Sequence, residues 1–294
     1  MDAGVEAWNA KDFAKALAYF EFAADRGNVR ALVNLAVMYT NGDGVEQSDE
    51  KAVEYYQLAA DRGSAPAQYR LAMYYWYGVG IGQSYEKALK YFQLSADQGD
   101  PHAQLEMGYL YDKGYYVEQS YEKAVEYFQL AADQGLAVAW YNLAVNYKLG
   151  LGVEQSYEKA FEYLQKAADL GEPKAFNGLG QLYYFGEGCE RDVQKAYELF
   201  RKAADLGFAE AFNNLGDCYE NGNAVEQSYE KAFECYQKAF EAGNSTGAIS
   251  LGYLYQNGFG VEKDLAKARE YYQKALDMGD EYAAGFLNAL PAEE

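Results

Sequence analysis

Apolar residues along the chain recur three and four apart in short stretches, and each stretch closes on a glycine. In 28–63, Ala31, Leu35 and Tyr39 stand four apart with Leu32 and Ala36 beside them, one face of a helix with 3.6 residues per turn. Asn41-Gly42-Asp43-Gly44 follows. Glycine ends a helix there because it takes the left-handed conformation without a side-chain clash. A second apolar face, Ala52, Tyr55, Tyr56 and Ala59, runs to Gly63. Ser48 stands where an N-cap belongs, and Glu50 falls in the first turn, facing the positive end of the helix dipole. Position 51 is Lys, so the reciprocal capping box is incomplete. The pattern predicts two helices joined by a glycine-bearing loop.

The pattern repeats every 36 residues. Gly27, Gly63, Gly99, Gly135, Gly171, Gly207, Gly243 and Gly279 form one series; Gly42, Gly78, Gly114, Gly150, Gly186, Gly222 and Gly258 form another in fixed phase. Tyr39 through Tyr255, Ser48 through Asp264 and the pair Lys51-Ala52 through Lys267-Ala268 keep the same register. The tract Glu-Gln-Ser-Tyr-Glu-Lys-Ala begins at 118, 154 and 226, as duplication of one unit would leave it. Full units are expected at 28–63, 64–99, 100–135, 136–171, 172–207, 208–243 and 244–279. Residues 1–27 form a shortened first hairpin and 280–294 a closing helix with a tail, in one solenoid domain over 1–294. Ala36, Ala72, Gly108, Ala144, Gly180 and Gly216 form a small-residue column in the first helices; Ala59, Ser95, Ala131, Ala167 and Ala203 form one in the second. Small side chains let helices approach, and stacking buries a stripe that one pair cannot bury alone.

Composition narrows the function. Half of the 294 residues are hydrophobic, which excludes a disordered chain. The net charge of -20 opposes nucleic-acid phosphates and anionic membranes but permits a basic partner. Cys189, Cys218 and Cys235 are irregularly spaced, and the single histidine, His102, has no partner at metal spacing. No metal or cofactor is expected, and reduced thiols fit the cytoplasm. No apolar run suits a secretion signal or a membrane span, so a cytoplasmic protein is expected. No nucleophile-base set, phosphate loop or dinucleotide fingerprint is present, so an enzyme is not expected.

The repeat resembles the Sel1-like repeat, a relative of the tetratricopeptide repeat. Ala175, Leu179, Gly180 and Tyr183 match the family's first helix; Gly186, Gly188, Lys195, Ala196, Phe200, Ala203, Ala204 and Gly207 match its loop and second helix. The resemblance implies an all-α fold, a right-handed α-α superhelix with first helices lining the concave side, and a role as adaptor or scaffold. Some secreted members carry a disulfide in each repeat, and this chain lacks that pair. Tyr116 and Ala224 replace the second loop glycine, so those two loops are expected to differ in backbone shape. Ala10-Lys11-Asp12 is too short for the usual loop, and the first hairpin resembles a tetratricopeptide unit.

If the fixed columns are core, a protein or peptide ligand would meet the variable first-helix positions, equivalent to 33, 34, 37, 40 and 41. Tyr69, Arg70, Met73, Trp76, Tyr77, Glu106, Tyr109, Tyr141 and Asn142 form an aromatic stretch, and Asn177, Gln181, Asn213, Asn214 and Asp217 a polar one. Aromatic groups offer rigid contact area and Asn can bond both groups of a peptide backbone. Tyr69, Trp76 and Tyr141 are equally placed to pack between repeats, and Arg70 to pair with Glu106. The acidic second helices read as a solvated back face. A monomeric interaction scaffold is the leading expectation; a self-assembling module, with Trp8, Phe13, Tyr282 and Phe286 at its ends, and a carbohydrate-binding or hydrolytic protein are the alternatives.

Overall fold

A computed structural model describes residues 2–291, all of whose regular structure is helical. The fold is an all-α solenoid of paired helices. It divides into two compact units, one running to Ala139 with Leu151–Val153, the other comprising Trp140–Gly150 and the chain from Glu154. In the first, α1 (Asp2–Asn9) and α2 (Phe13–Ala24) form a hairpin. The pairs α3 (Val29–Asn41) and α4 (Asp49–Ala60), α5 (Ala65–Tyr77) and α6 (Tyr85–Asp97), and α7 (Pro101–Lys113) and α8 (Tyr121–Asp133) follow. The division falls within α9 (Ala137–Leu149). The second unit continues with α10 (Tyr157–Asp169), α11 (Pro173–Phe185), α12 (Val193–Asp205), α13 (Ala209–Asn221), α14 (Tyr229–Glu241), α15 (Ser245–Asn257) and α16 (Leu265–Asp277). The closing helix α17 (Ala283–Ala289) packs on α16 through a stack of Phe286 on Tyr272, 5.2 Å between centroids.

The predicted helix ends are where the glycines place them. Gly63 has φ +83° with open space around a notional Cβ, so the backbone conformation alone selects glycine there. At Gly80, φ is +63° and a Cβ would also come within 2.6 Å of the Asp49 carbonyl carbon, so both reasons apply. Ser48 accepts from the backbone N–H of Lys51 at 3.2 Å, as an N-cap should.

Two expectations about the loops need correcting. Tyr116 and Ala224 adopt φ +59° and +64°, the same left-handed region as the glycines they replace. The loops keep their shape because hydrogen bonds fix them from both ends. In the 42–48 loop, Asp43 N–H donates to Met38 O at 3.0 Å and Ser48 N–H to Tyr39 O at 3.0 Å. Tyr115 to Leu110 (3.1 Å) and Ser120 to Tyr111 (3.0 Å) reproduce that frame around Tyr116; Asn223 to Cys218 and Ser228 to Tyr219, both 2.9 Å, do so around Ala224.

The frame also explains the repeated glutamine. Gln47, Gln83, Gln119, Gln155 and Gln227 each send the side-chain amide back to a carbonyl in the last turn of the first helix, at 2.7–2.9 Å. These carbonyls have no partner within their helix. Three residues after the N-cap, Lys stands in place of Glu and covers a ring: Lys51 lies 5.0 Å over Tyr39, Lys87 5.0 Å over Tyr75 and Lys123 4.8 Å over Tyr111.

The core is built from the small columns and the rings that fill against them. In the first unit Ala36, Ala72 and Gly108 are buried, and a Cβ on Gly108 would stand 2.5 Å from the Phe128 ring. In the second, Gly180 meets Phe200 at the same 2.5 Å. Neighbouring second helices are tied by polar bonds, Gln57 to the Tyr91 hydroxyl (2.8 Å) and Gln93 to that of Tyr127 (2.9 Å).

Candidate functional site

The first helices present two cavities, one in each unit, at the same register of the repeat. In the first unit a cavity of ≈ 370 Å³ is lined by residues that include Val37, Thr40, Asn41, Tyr56, Arg70, Met73 and Tyr77. In the second, one of ≈ 350 Å³ is lined by Gln181, Tyr184, Phe185, Phe200, Asn214, Asp217 and Asn221. Each of these residues stands 144 positions after its counterpart in the first cavity. The repeat frame therefore opens the same space twice and fills its walls differently.

The first cavity is mainly apolar, through Val37, Tyr56, Met73, Tyr77 and Val79. Arg70 and Asp49 are its charged groups. The Tyr74 hydroxyl sits between Thr40 Oγ1 (2.9 Å) and Asp49 Oδ1 (3.4 Å), while Thr40 donates to the Ala36 carbonyl. Burial pushes the Tyr56 hydroxyl up to about 12, and it raises Tyr74 as well, so both remain neutral donors. The expected pairing of Arg70 with Glu106 does not form: among the described residues Arg70 has no ion pair, and its guanidinium lies 5.8 Å over the Tyr69 ring. Burial raises Glu106 above the usual carboxylate range.

The second cavity is rich in amides and holds an acid. Burial raises Asp217, and the hydrogen bond from Tyr236 only partly offsets this. The Tyr236 hydroxyl lies 2.7 Å from Asp217 Oδ1 and 2.6 Å from Glu220 Oε2. The single phenolic proton is shared between the two carboxylates. Burial, with the two acids, also drives Tyr236 strongly upward. Asn214 donates to Asn177 Oδ1 at 2.7 Å, which orients it at the cavity wall.

The fourteen sequence-selected positions thus separate. Arg70, Met73 and Tyr77 line the first cavity; Gln181, Asn214 and Asp217 line the second. The others line neither space. Tyr69 packs on Phe92 (6.0 Å) and on His102 of the next repeat (5.7 Å). Trp76 meets Tyr85 edge-on at 4.9 Å and Tyr116 at 5.6 Å. Tyr109 meets Phe128 at 5.4 Å, and Tyr141 carries Lys174 5.8 Å over its ring. Asn177 and Asn213 are buried, Asn213 accepting from Ser250 at 3.3 Å. Asn142 Nδ2 is buried without a hydrogen-bond partner among the described residues. Tyr184, Phe185 and Asn221 join the second lining at the register of 40 and 41; Asp49 and Val79 come from outside the first helices, so only the fold brings them in.

Burial raises all three thiols, Cys218 to about 12 and Cys235 to about 11. Among the described residues, no group of three His, Cys, Asp or Glu is placed to hold a metal, and no helix is long and apolar enough to cross a membrane.

Paired helices stacked in register, with open space on the first-helix face, define a helical-repeat protein of the kind built for protein–protein interaction. Sel1 repeats match residues 10–28, 29–64, 65–100, 101–136, 137–172, 173–208, 209–244 and 245–280. The chain belongs to the Sel1 repeat family. It is similar to a protective antigen of uropathogenic Escherichia coli displaying an SLR fold, with 35% identity and a TM-score of 0.76 over 94% of this chain and 59% of that one. It therefore spans about three fifths of that relative's length. A Sel1 repeat protein from Oxalobacter formigenes is 30% identical with a TM-score of 0.74, over 82% of this chain and 99% of the other. An immunity protein of Pseudomonas aeruginosa, 23% identical over 78% of this chain and 88% of its own with a TM-score of 0.50, shares the fold. Among curated proteins, none matches the chain.

Proposed function

We propose that the chain is a scaffold whose first helices hold peptide or protein segments, anchored in each unit by side chains that enter that unit's cavity. The observation that carries this reading is the pair of spaces 144 positions apart, with one backbone frame and two wall chemistries. A wall that served only packing would be filled as the small columns are. Instead Tyr77 and Phe185, at one register, are 63% and 64% exposed. Such rigid aromatic groups give contact area at little entropic cost.

Each cavity favours its own anchor. The first takes an apolar side chain, with Arg70 free to meet an acidic neighbour on the same segment. The second takes a hydrogen-bond donor, basic or amide, opposite Asp217 and its flanking amides. The net charge of -20 favours basic partners over nucleic acid. The scaffold acts as a monomer, in the cytoplasm.

Affinity capture from the native cell extract tests this reading. Wild-type protein is compared with Arg70→Ala/Tyr77→Ala and with Phe185→Ala/Asn214→Ala, each checked for wild-type helicity. At least one double variant should lose a partner that wild type retains. Equal retention of every partner by both folded variants would remove the proposal.

A further inference from the structure

The second helices carry a surface that the acidic reading of this face does not account for. Phe22, Leu58, Leu94 and Leu130 occupy one column, 36 residues apart, on α2, α4, α6 and α8 of the first unit. Leu58, Leu94 and Leu130 are 47%, 38% and 49% exposed, although each sits in a well-packed helix. In the second unit the same column is Lys166, Lys202, Lys238 and Lys274. A column that alternates at random between apolar and basic would not divide this way.

Three of the four lysines show what the column does when the chain covers itself. Lys166 lies 4.4 Å over Trp140 and pairs with Glu162 at 2.8 Å. Lys202 lies 4.1 Å over Phe176, and Lys274 lies 4.8 Å over Tyr271 and pairs with Glu270 at 2.6 Å. At the start of the ladder, Arg26 stacks on one face of Phe22 at 3.5 Å, and the ring still remains 58% exposed. Leu58, Leu94 and Leu130 have no such cover. The acids beside them also lack cations: Asp61, Asp97 and Asp133 take side-chain amide bonds from Gln57, Gln93 and Gln129 at 2.6–2.7 Å and form no ion pair among the described residues. Glu54 and Glu126, one turn before Leu58 and Leu130, are likewise unpaired. Lys90, one turn before Leu94, is turned to the Tyr91 ring at 5.8 Å.

We propose that the Leu58–Leu94–Leu130 ladder is a docking surface for an amphipathic segment of another protein, whose apolar side chains are flanked by Lys or Arg. The apolar residues cover the leucines, and the cations supply to Glu54 and Glu126 the charge that Lys166 and Lys274 supply to Glu162 and Glu270. An anionic lipid surface is disfavoured because the acids would face its headgroups. A second copy laid ladder to ladder would bring like-charged Asp rows together. This surface lies on second helices, apart from the first-helix cavities, so either proposal can fail alone.

The test uses the full chain and a fluorescent, helix-forming synthetic peptide with Leu on one face and Lys on its flanks, beside a Leu/Glu peptide of the same pattern. Anisotropy titration should show binding of the Leu/Lys peptide and none of the Leu/Glu peptide. Leu58→Gln/Leu94→Gln/Leu130→Gln, which leaves the charge unchanged, should weaken binding by about tenfold or more. Asp61→Asn/Asp97→Asn/Asp133→Asn should weaken it and flatten its salt dependence, while Arg70→Ala/Tyr77→Ala should bind like wild type. Undiminished binding by the folded leucine variant, binding lost with the cavity variant, or no binding by wild type would overturn the proposal. So would concentration-dependent self-association in sedimentation that the leucine variant abolishes, since the ladder would then belong to a second copy.

Discussion

The ring of Tyr116 lies on that of Tyr85, with centroids 4.0 Å apart and planes 17° apart. Five other loops have glycine where Tyr116 stands, at the same positive φ. A left-handed conformation costs a side-chain-bearing residue about 1–2 kcal/mol, and the ring contacts with Tyr85 and, edge-on, with Trp76 return about 0.5–1.5 kcal/mol each. Tyr116→Gly should therefore leave stability nearly unchanged. Ala224 bears the same conformation without a ring to lose, so Ala224→Gly should stabilise by about 1 kcal/mol. Chemical denaturation of the two variants side by side checks the contrast.

The small-residue column gives a second pair of substitutions. A Cβ on Gly180 would stand 2.5 Å from Phe200 Cε1 and 3.2 Å from the Ala196 carbonyl oxygen. Gly180→Ala should cost about 1–3 kcal/mol through overpacking. The second change Phe200→Leu should recover part of it, because the ring is what the methyl strikes. A loss unchanged by the smaller partner would point to the backbone contact instead.

Asp217 makes the stability of the second unit depend on pH. Burial raises its carboxyl in the folded state. A raised carboxyl binds its proton more tightly folded than unfolded, so its contribution is fully present below the ordinary aspartate value and is lost as pH rises through the folded one. Asp217→Asn should melt above wild type at neutral pH, and the two should converge near the acid end of the window. Melting temperatures across that range read the effect directly.

The loop frame can be tested at its side chains. Gln119 Nε2 donates to the Asp112 carbonyl at 2.7 Å, and Ser120 Oγ accepts from Lys123 N–H at 3.3 Å. Gln119→Ala should cost about 0.5–1.5 kcal/mol and Ser120→Ala about 1 kcal/mol. Hydrogen exchange should speed at the Lys123 amide in the serine variant, and the loss should stay local to that helix start.

The helix pairs, their 36-residue phase and the glycine-closed ends were legible in the sequence, because periodicity and positive-φ positions act over a few residues. The same range explains why Ser48 could be read as a cap while the task of Gln47 could not: its amide crosses a loop to a carbonyl seven residues away. Tyr116 and Ala224 misled for a related reason. Local preference said the loops would change, and hydrogen bonds from both ends held them.

For the candidate site, the chain alone fixed which register varies, and so brought Arg70, Met73, Tyr77, Gln181, Asn214 and Asp217 into view. Only tertiary packing decided that Trp76 and Tyr69 lie against neighbouring rings, that Asn177 and Asn213 are buried, and that Leu58, Leu94 and Leu130 are left uncovered. Repeat spacing records which positions share a face of a helix. Whether that face meets another helix or solvent depends on side chains carried by other helices, and no pattern within one helix contains them.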